Sequence, residues 1–93
     1  MNVMPISDLI DQVSQICKRN GVQRLDLFGS FATGTATPTS DIDFVVYGCK
    51  DILHLEDELA DIDTLGKIDI FEYESIKNKF LKEDIEKYGK QIY

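Results

Sequence analysis

The chain predicts an α/β (α+β) fold, a small mixed β-sheet flanked by helices, and three observations carry that prediction. Apolar residues at helical spacing open the chain, at Leu9, Ile10, Val13, Ile16 and Cys17. Three short segments of alternating or β-branched character follow, at Val22 to Phe28, Asp41 to Tyr47 and Lys67 to Phe71. A second helical spacing, at Leu55, Leu59 and Ile62, separates the last two. Helix alternating with strand implies a sheet with helices packed on it, mixed in direction.

The elements follow in order. Ser7 precedes the first helix, and Asn20-Gly21 supplies its stop. The first strand runs from Val22 to Phe28, where Gly29 makes a sharp strand-to-helix turn and Ser30 is expected to cap a short helix. A Thr/Pro-rich loop from Thr35 to Ser40 should then cross the mouth of any site built there. The second strand covers Asp41 to Tyr47, a helix is expected over Ile52 to Leu65, and Gly66 leads into the third strand. A last helix is expected from Ser75 to Tyr88, stopped by Gly89, with Ile76, Phe80 and Ile85 as its apolar stripe and Gln91-Ile92-Tyr93 as a tail or edge strand. Phe80, Tyr88 and Tyr93 are the candidates for a partner surface. One domain, residues 1–93, accounts for the whole chain.

The most informative constellation is Gly29-Ser30, ten residues, then Asp41-Ile42-Asp43. Residues two apart on a strand share a face, so Asp41 and Asp43 stand side by side. Two carboxylates about 4 Å apart repel by roughly 4 kcal/mol at an effective dielectric near 20, which a cation or proton must offset. Magnesium suits the pair, because it takes oxygen ligands, needs only one or two carboxylates, and completes its shell with water and phosphates. Asp69, alone among β-branched neighbours in Lys67-Ile68-Asp69-Ile70-Phe71, can join them if its strand pairs beside the second. That gives the triad used by two-metal phosphoryl chemistry, with ions roughly 3.5–4 Å apart. Opposite the acids, free N–H groups at the helix start and the Ser30 hydroxyl form an anion site for phosphates.

These residues resemble the nucleotidyltransferases of the DNA polymerase β superfamily, and within it the minimal nucleotidyltransferases. The family motif is Gly-Ser, about ten residues, Asp-x-Asp, and a later third Asp, and Gly29, Ser30, Asp41, Asp43 and Asp69 match it. The resemblance spans essentially the whole chain. It implies a polymerase β-like nucleotidyltransferase core, two Mg2+ ions held by Asp41, Asp43 and Asp69 as the catalytic residues, ATP as substrate, and Gly29 and Ser30 on its phosphates. It further implies an antitoxin role: transfer of AMP to a tyrosine of a HEPN-domain ribonuclease toxin, in a hetero-oligomer with that toxin.

One position departs from the motif. The family reads Gly-Ser-x-Ala-Arg-Gly, whereas Thr33 stands where the Arg would be, and no Lys or Arg occurs between Arg24 and Lys50. Phosphate charge then falls to metals and backbone N–H groups, or to a basic residue from elsewhere. Two other motifs fail. Gly29 and Gly34 have P-loop spacing, but Thr35-Ala36 replaces its Lys-Ser/Thr. A nucleophile elbow would need glycines where Phe28 and Ala32 stand.

Composition bounds the remainder. The net charge of -7, from 17 acidic and 10 basic residues, argues against DNA or RNA binding and suits a basic partner or simple solubility. Cys17 and Cys49 have no metal-ligand spacing, and no signal sequence is read, so a reducing cytoplasm is expected. His54, the one histidine, is assigned no chemical role. No apolar run approaches the roughly 20 residues of a membrane span. Two further functions fit the residues: an antitoxin that neutralises its toxin by stoichiometric binding, its nucleotide site weakened by Thr33, and a transferase acting on a small molecule of the aminoglycoside kind. The latter would need an acceptor domain from another subunit.

Overall fold

The computed structural model describes residues 5–37, 40–62, 64 and 66–93. Helix α1 (Ile6–Arg19) carries Asp8 in its first turn and Lys18 and Arg19 in its last, each the sign its end of the helix dipole favours. Leu9, Val13 and Cys17, four residues apart, form its buried stripe. The helix stops as the sequence predicts. Gly21 takes φ 76°, its N–H donates to the Lys18 carbonyl, and the Val22 N–H reaches back to the Cys17 carbonyl at 3.0 Å, closing a Schellman motif.

Strand β1 (Arg24–Phe28) starts two residues later than expected, because Val22 is committed to that cap. It pairs antiparallel with β2 (Ile42–Tyr47), and β2 pairs in parallel with β3 (Ile68–Glu72) after the crossover through α3 (Ile52–Ala60). The tail forms β4 (Lys90–Gln91), antiparallel to β1, so the sheet order is β3-β2-β1-β4. The sheet is mixed, as its sequence predicts.

Alternation divides the sheet into two faces. Leu25 and Leu27 of β1 and Ile42, Phe44 and Val46 of β2 join Leu9, Val13 and Cys17 of α1 and Leu55 and Leu59 of α3 in one core. Asp26 and Val45 are buried outside that cluster, on the opposite face. That face receives α4 (Lys79–Tyr88), whose Ile85 is 1% exposed and whose Glu86 accepts a 2.8 Å hydrogen bond from the Tyr73 hydroxyl. On the core face, Arg19 of α1 and Asn20 both donate to Glu58 of α3, which holds the Glu58 carboxyl below its ordinary range.

Four helix boundaries differ from expectation, the first at Ser7, which lies inside α1 because the Pro5 carbonyl already accepts from the Leu9 N–H at 3.0 Å. α3 ends at Ala60 rather than Leu65, which lies outside the described residues. Its last turn holds Asp57 and Glu58 with no basic residue, and Asp61 follows, a charge pattern that opposes the dipole of a longer helix. The last helix starts at Lys79 rather than Ser75, after a 3-10 turn at Tyr73–Ser75. Asn78 decides that start: its side chain accepts from the N–H groups of Phe80 and Leu81 at 2.9 and 3.3 Å. Ile76 therefore leaves the helix, and Phe80 is 69% exposed whereas Ile85 is buried, outside the α1–α3 core cluster. The fourth difference is at Ser30. The short helix α2 (Ser30–Thr33) has Gly29, not Ser30, at its N-cap, because Gly29 adopts φ 76° and ψ -153° and the first helical turn begins one residue earlier. Tyr93 is also not a free surface residue, since its hydroxyl donates to the Val22 carbonyl at 2.9 Å.

Replacing Asn78 with Ala removes the cap of α4 and should cost about 1 kcal/mol of stability. The check is a lowered urea midpoint with an unchanged slope of the unfolding free energy against denaturant.

Candidate active site

The parallel register of β2 and β3 sets Asp43 directly beside Asp69. The strands are about 4.8 Å apart, so the two carboxylates share one end of the face opposite the main core. Asp41 lies just before β2 and is exposed, two residues from Asp43 along an extended chain. Burial raises the Asp43 pKa above its ordinary 3.8, and the like charges of Asp69 and then Asp41 add to the rise. Among the described residues, no three carboxylate, imidazole or thiol groups stand close enough to hold an ion as placed. The fold brings Asp43 and Asp69 together and leaves Asp41 at the mouth.

From the other side, β1 delivers Gly29 against the same carboxylate. Phe28 is the register partner of Asp43, and a Cβ built on Gly29 would collide with the Asp43 carboxylate oxygen. The glycine is required twice, since its backbone also lies where only glycine is comfortable. The result is an open cradle between the Asp43 carboxylate and the first turn of α2. Carbonyl Gly29 already accepts from the N–H groups of Ala32 and Thr33 at 3.0 and 3.2 Å. The amides of Ser30 and Phe31, the first two helical residues, have no partner within the helix and remain for a ligand.

Such a cradle fits magnesium with phosphate: hard oxygen donors, two adjacent carboxylates of which Asp43 has no ion-pair partner among the described residues, and N–H donors within one turn. Thr33 adds no charge. Its hydroxyl lies 3.3 and 3.4 Å from the carbonyls of Gly29 and Ser30 and 3.1 Å from the Thr35 hydroxyl, so it belongs to the local structure of α2. The cation nearest the acids is Lys67, whose Nζ lies 3.6 Å from Asp69 Oδ1, a residue that spacing alone did not single out. Its signal was the alternation itself, which places residue 67 on the side of Asp69. The loop expected to cross the mouth lies partly outside the described residues, at 38 and 39.

Asp26 shows what a compensated carboxylate looks like on the same face. Only 1% exposed, it accepts from Arg24 Nε and Nη2 at 3.0 and 3.2 Å and from the Tyr47 hydroxyl at 2.9 Å. Burial and this hydrogen bond push the Tyr47 phenol well above its ordinary range.

Comparison with known proteins gives concordant results. The family model described as Polymerase beta, Nucleotidyltransferase matches residues 11–93. Two proteins of Methanocaldococcus jannaschii, both carrying the provisional name protein adenylyltransferase, are similar in sequence. MJ0435 is 33% identical over 93 residues, covering 89% of this chain and 98% of its own length. MJ0128 is 36% identical over 91 residues, covering 90% and 91%. Among solved structures, a toxin-antitoxin with AMP-PNP superposes with a TM-score of 0.72 at 26% identity, over 90% of this chain and 72% of that one. A tyrosine-to-alanine mutant of the toxin-antitoxin MntA-HpeT gives 0.71 at 26% identity, over 89% and 70%.

Two outcomes are expected of the geometry. Gly29→Ala should lose about 1–3 kcal/mol from backbone strain alone, read as a lowered denaturation midpoint. Asp43→Asn should have the opposite sign in metal-free protein at neutral pH. With the folded-state pKa raised above the unfolded value, ionisation of Asp43 penalises the fold; the penalty is absent below about pH 3.8 and grows as pH rises through the raised value. Thermal unfolding of both proteins across that window should show the variant more stable at pH 7 and its advantage vanishing in acid.

Proposed function

Because this chain belongs to the polymerase beta nucleotidyltransferase family, we propose that it is the antitoxin of a toxin-antitoxin pair and transfers AMP from ATP to a tyrosine hydroxyl of a HEPN-domain toxin. The observation that carries this reading is the pairing of Asp43 with Asp69 across β2 and β3, with Gly29 and Ser30 on the far side of Asp43. The similar M. jannaschii proteins support the adenylyl group as the one moved, and the toxin-antitoxin structures support a protein acceptor.

Each residue then has a role set by its place. Asp41, Asp43 and Asp69 would hold Mg2+, which when bound supplies Lewis acidity toward the phosphate oxygens. The Ser30 hydroxyl and the amides of Ser30 and Phe31 hold the β- and γ-phosphates of ATP at the start of α2. Asp69, on the strand farther from Gly29, faces the acceptor and receives its proton. The acceptor oxygen attacks the α-phosphorus, the bond to the β-phosphate breaks, and pyrophosphate leaves toward α2. Positioning and charge neutralisation supply most of the rate in such a displacement.

Thr33 favours a second reading, stoichiometric neutralisation without transfer, since its hydroxyl is engaged in α2 and contributes no cation. Intact mass of the neighbouring gene's product after co-expression separates the two. Mass added in whole AMP units with wild type, and none with Asp43→Asn, is the expected result. Co-purification of an unmodified partner with both proteins would establish the binding reading instead.

A further inference from the structure

Three carboxylates and one ammonium meet at one end of the open face. Asp41, Asp43, Lys67 and Asp69 alternate with the core-facing Ile42, Phe44, Ile68 and Ile70, so all four belong to the face opposite α1 and α3. The Ile42 N–H donates to the Lys67 carbonyl at 2.8 Å, which carries the parallel pairing of β2 and β3 one step past the ladder. Lys67 thus stands beside Asp41 as Asp69 stands beside Asp43. Its Nζ lies 3.6 Å from Asp69 Oδ1, and among the described residues this is the one ion pair that involves any of the three acids.

The pair is loose. Its separation exceeds the roughly 2.7–2.9 Å of a charge-assisted hydrogen bond. The lysine side chain is 76% exposed, and exposed pairs of this kind contribute little to stability. An ammonium on a flexible four-carbon stem can leave a carboxylate without disturbing the backbone, whereas the Arg24 fork would have to break two bonds to leave Asp26. What Lys67 changes is charge. Its ammonium lowers the negative excess of the three acids and repels any divalent cation that approaches them alone. A triphosphate reverses that sign. Its own negative charge calls for a cation, Thr33 supplies none, and no Lys or Arg occurs between Arg24 and Lys50. The ammonium that opposes a lone metal ion therefore favours the ion accompanied by nucleotide.

We propose that Lys67 is the resident counter-ion of this acid cluster, a positioning residue that weakens binding of a divalent cation alone and strengthens binding of the cation together with a nucleoside triphosphate. The proposal rests on the reading of Asp41, Asp43 and Asp69 as a metal site, and is independent of the acceptor. Lys67 thereby couples the two ligands. The site fills on arrival of nucleotide rather than in advance of it.

The test measures Mn2+ binding to the full chain by electron paramagnetic resonance, alone and with α,β-methylene-ATP, a triphosphate that cannot release AMP. Lys67→Met should bind Mn2+ alone at least about threefold tighter than wild type, and Mn2+ with the nucleotide at least about threefold more weakly. Lys67→Arg, which keeps the charge, should follow wild type in both. Lys50→Met removes the same charge beyond the far end of β2 and should also follow wild type. A lysine with a merely structural role would shift the urea midpoint and give no such opposite signs. Mn2+ affinity that is equal or weaker in Lys67→Met without nucleotide, or unchanged with it, would overturn the proposal and leave the metal site standing. Mn2+ bound by neither protein, with or without nucleotide, would overturn the metal-site reading and the proposal together.

Discussion

The register between β2 and β3 is the constraint on which the site depends. Parallel pairing puts Asp43 beside Asp69, and the same pairing puts Ile42 beside Ile68 and Phe44 beside Ile70. A slip by one residue would turn Asp43 into the core of α1 and α3 and expose Phe44, which is fully buried. The carboxylates therefore cannot move apart along the strands without dismantling the apolar cluster. Their repulsion is borne by the hydrophobic packing of the other face, and a cation held between them would relieve it.

The two aspartates that share a face with different neighbours make the point in contrast. Asp26 is the more deeply buried, yet the guanidinium of Arg24 and the hydroxyl of Tyr47 satisfy it completely. Tyr47 stacks in turn on Tyr73 at 4.6 Å, and Arg24 lies over the Tyr47 ring, so this end of the face is closed and structural. Asp43 meets no such fork. Its neighbours are two further acids and the bare backbone of Gly29. Burial alone does not distinguish a structural carboxylate from a functional candidate; the compensating group does, and among the described residues none pairs with Asp43.

What was legible in the sequence was whatever local chemistry dictates. Alternation around Asp41 to Tyr47 and around Asp69 gave the strands to within one residue, and Asn20-Gly21 gave the helix stop. The pairing that joins Asp43 to Asp69 was conditional in the sequence, because a third strand's neighbour is decided by tertiary packing across α3. Ser30 was misassigned as a cap for a similar reason: Ser and Gly both favour that position, and the choice went to the residue whose missing Cβ the Asp43 carboxylate demands. The start of α4 was readable in principle, since Asn78 is a good cap, but Ser75 offers an equally good one and only the 3-10 turn at Tyr73–Ser75 decides between them. Asp26 carried only part of its signal locally: Arg24 stands two residues away on the same strand face, whereas its hydroxyl partner lies 21 residues away at Tyr47.

The remaining question is why so little of the chain covers the acids. Helices α1 and α3 seal one face of the sheet, whereas on the other α4 brings only Ile85 to full burial and leaves Phe80 and Tyr88 69% and 49% exposed. Electrostatic stabilisation of a phosphoryl displacement is strongest where water is excluded, and it weakens steeply toward the dielectric of bulk solvent. A chain that displays its carboxylates at an open sheet edge thus gains most from an acceptor that is itself a macromolecule. Such an acceptor brings the hydroxyl and the cover in one binding event, so desolvation of Asp43 and Asp69 is coupled to arrival of the group to be modified. A small hydroxylated molecule would deliver the first without the second. If the acceptor is a protein, as proposed, openness in the isolated chain would tie activity to that protein's presence.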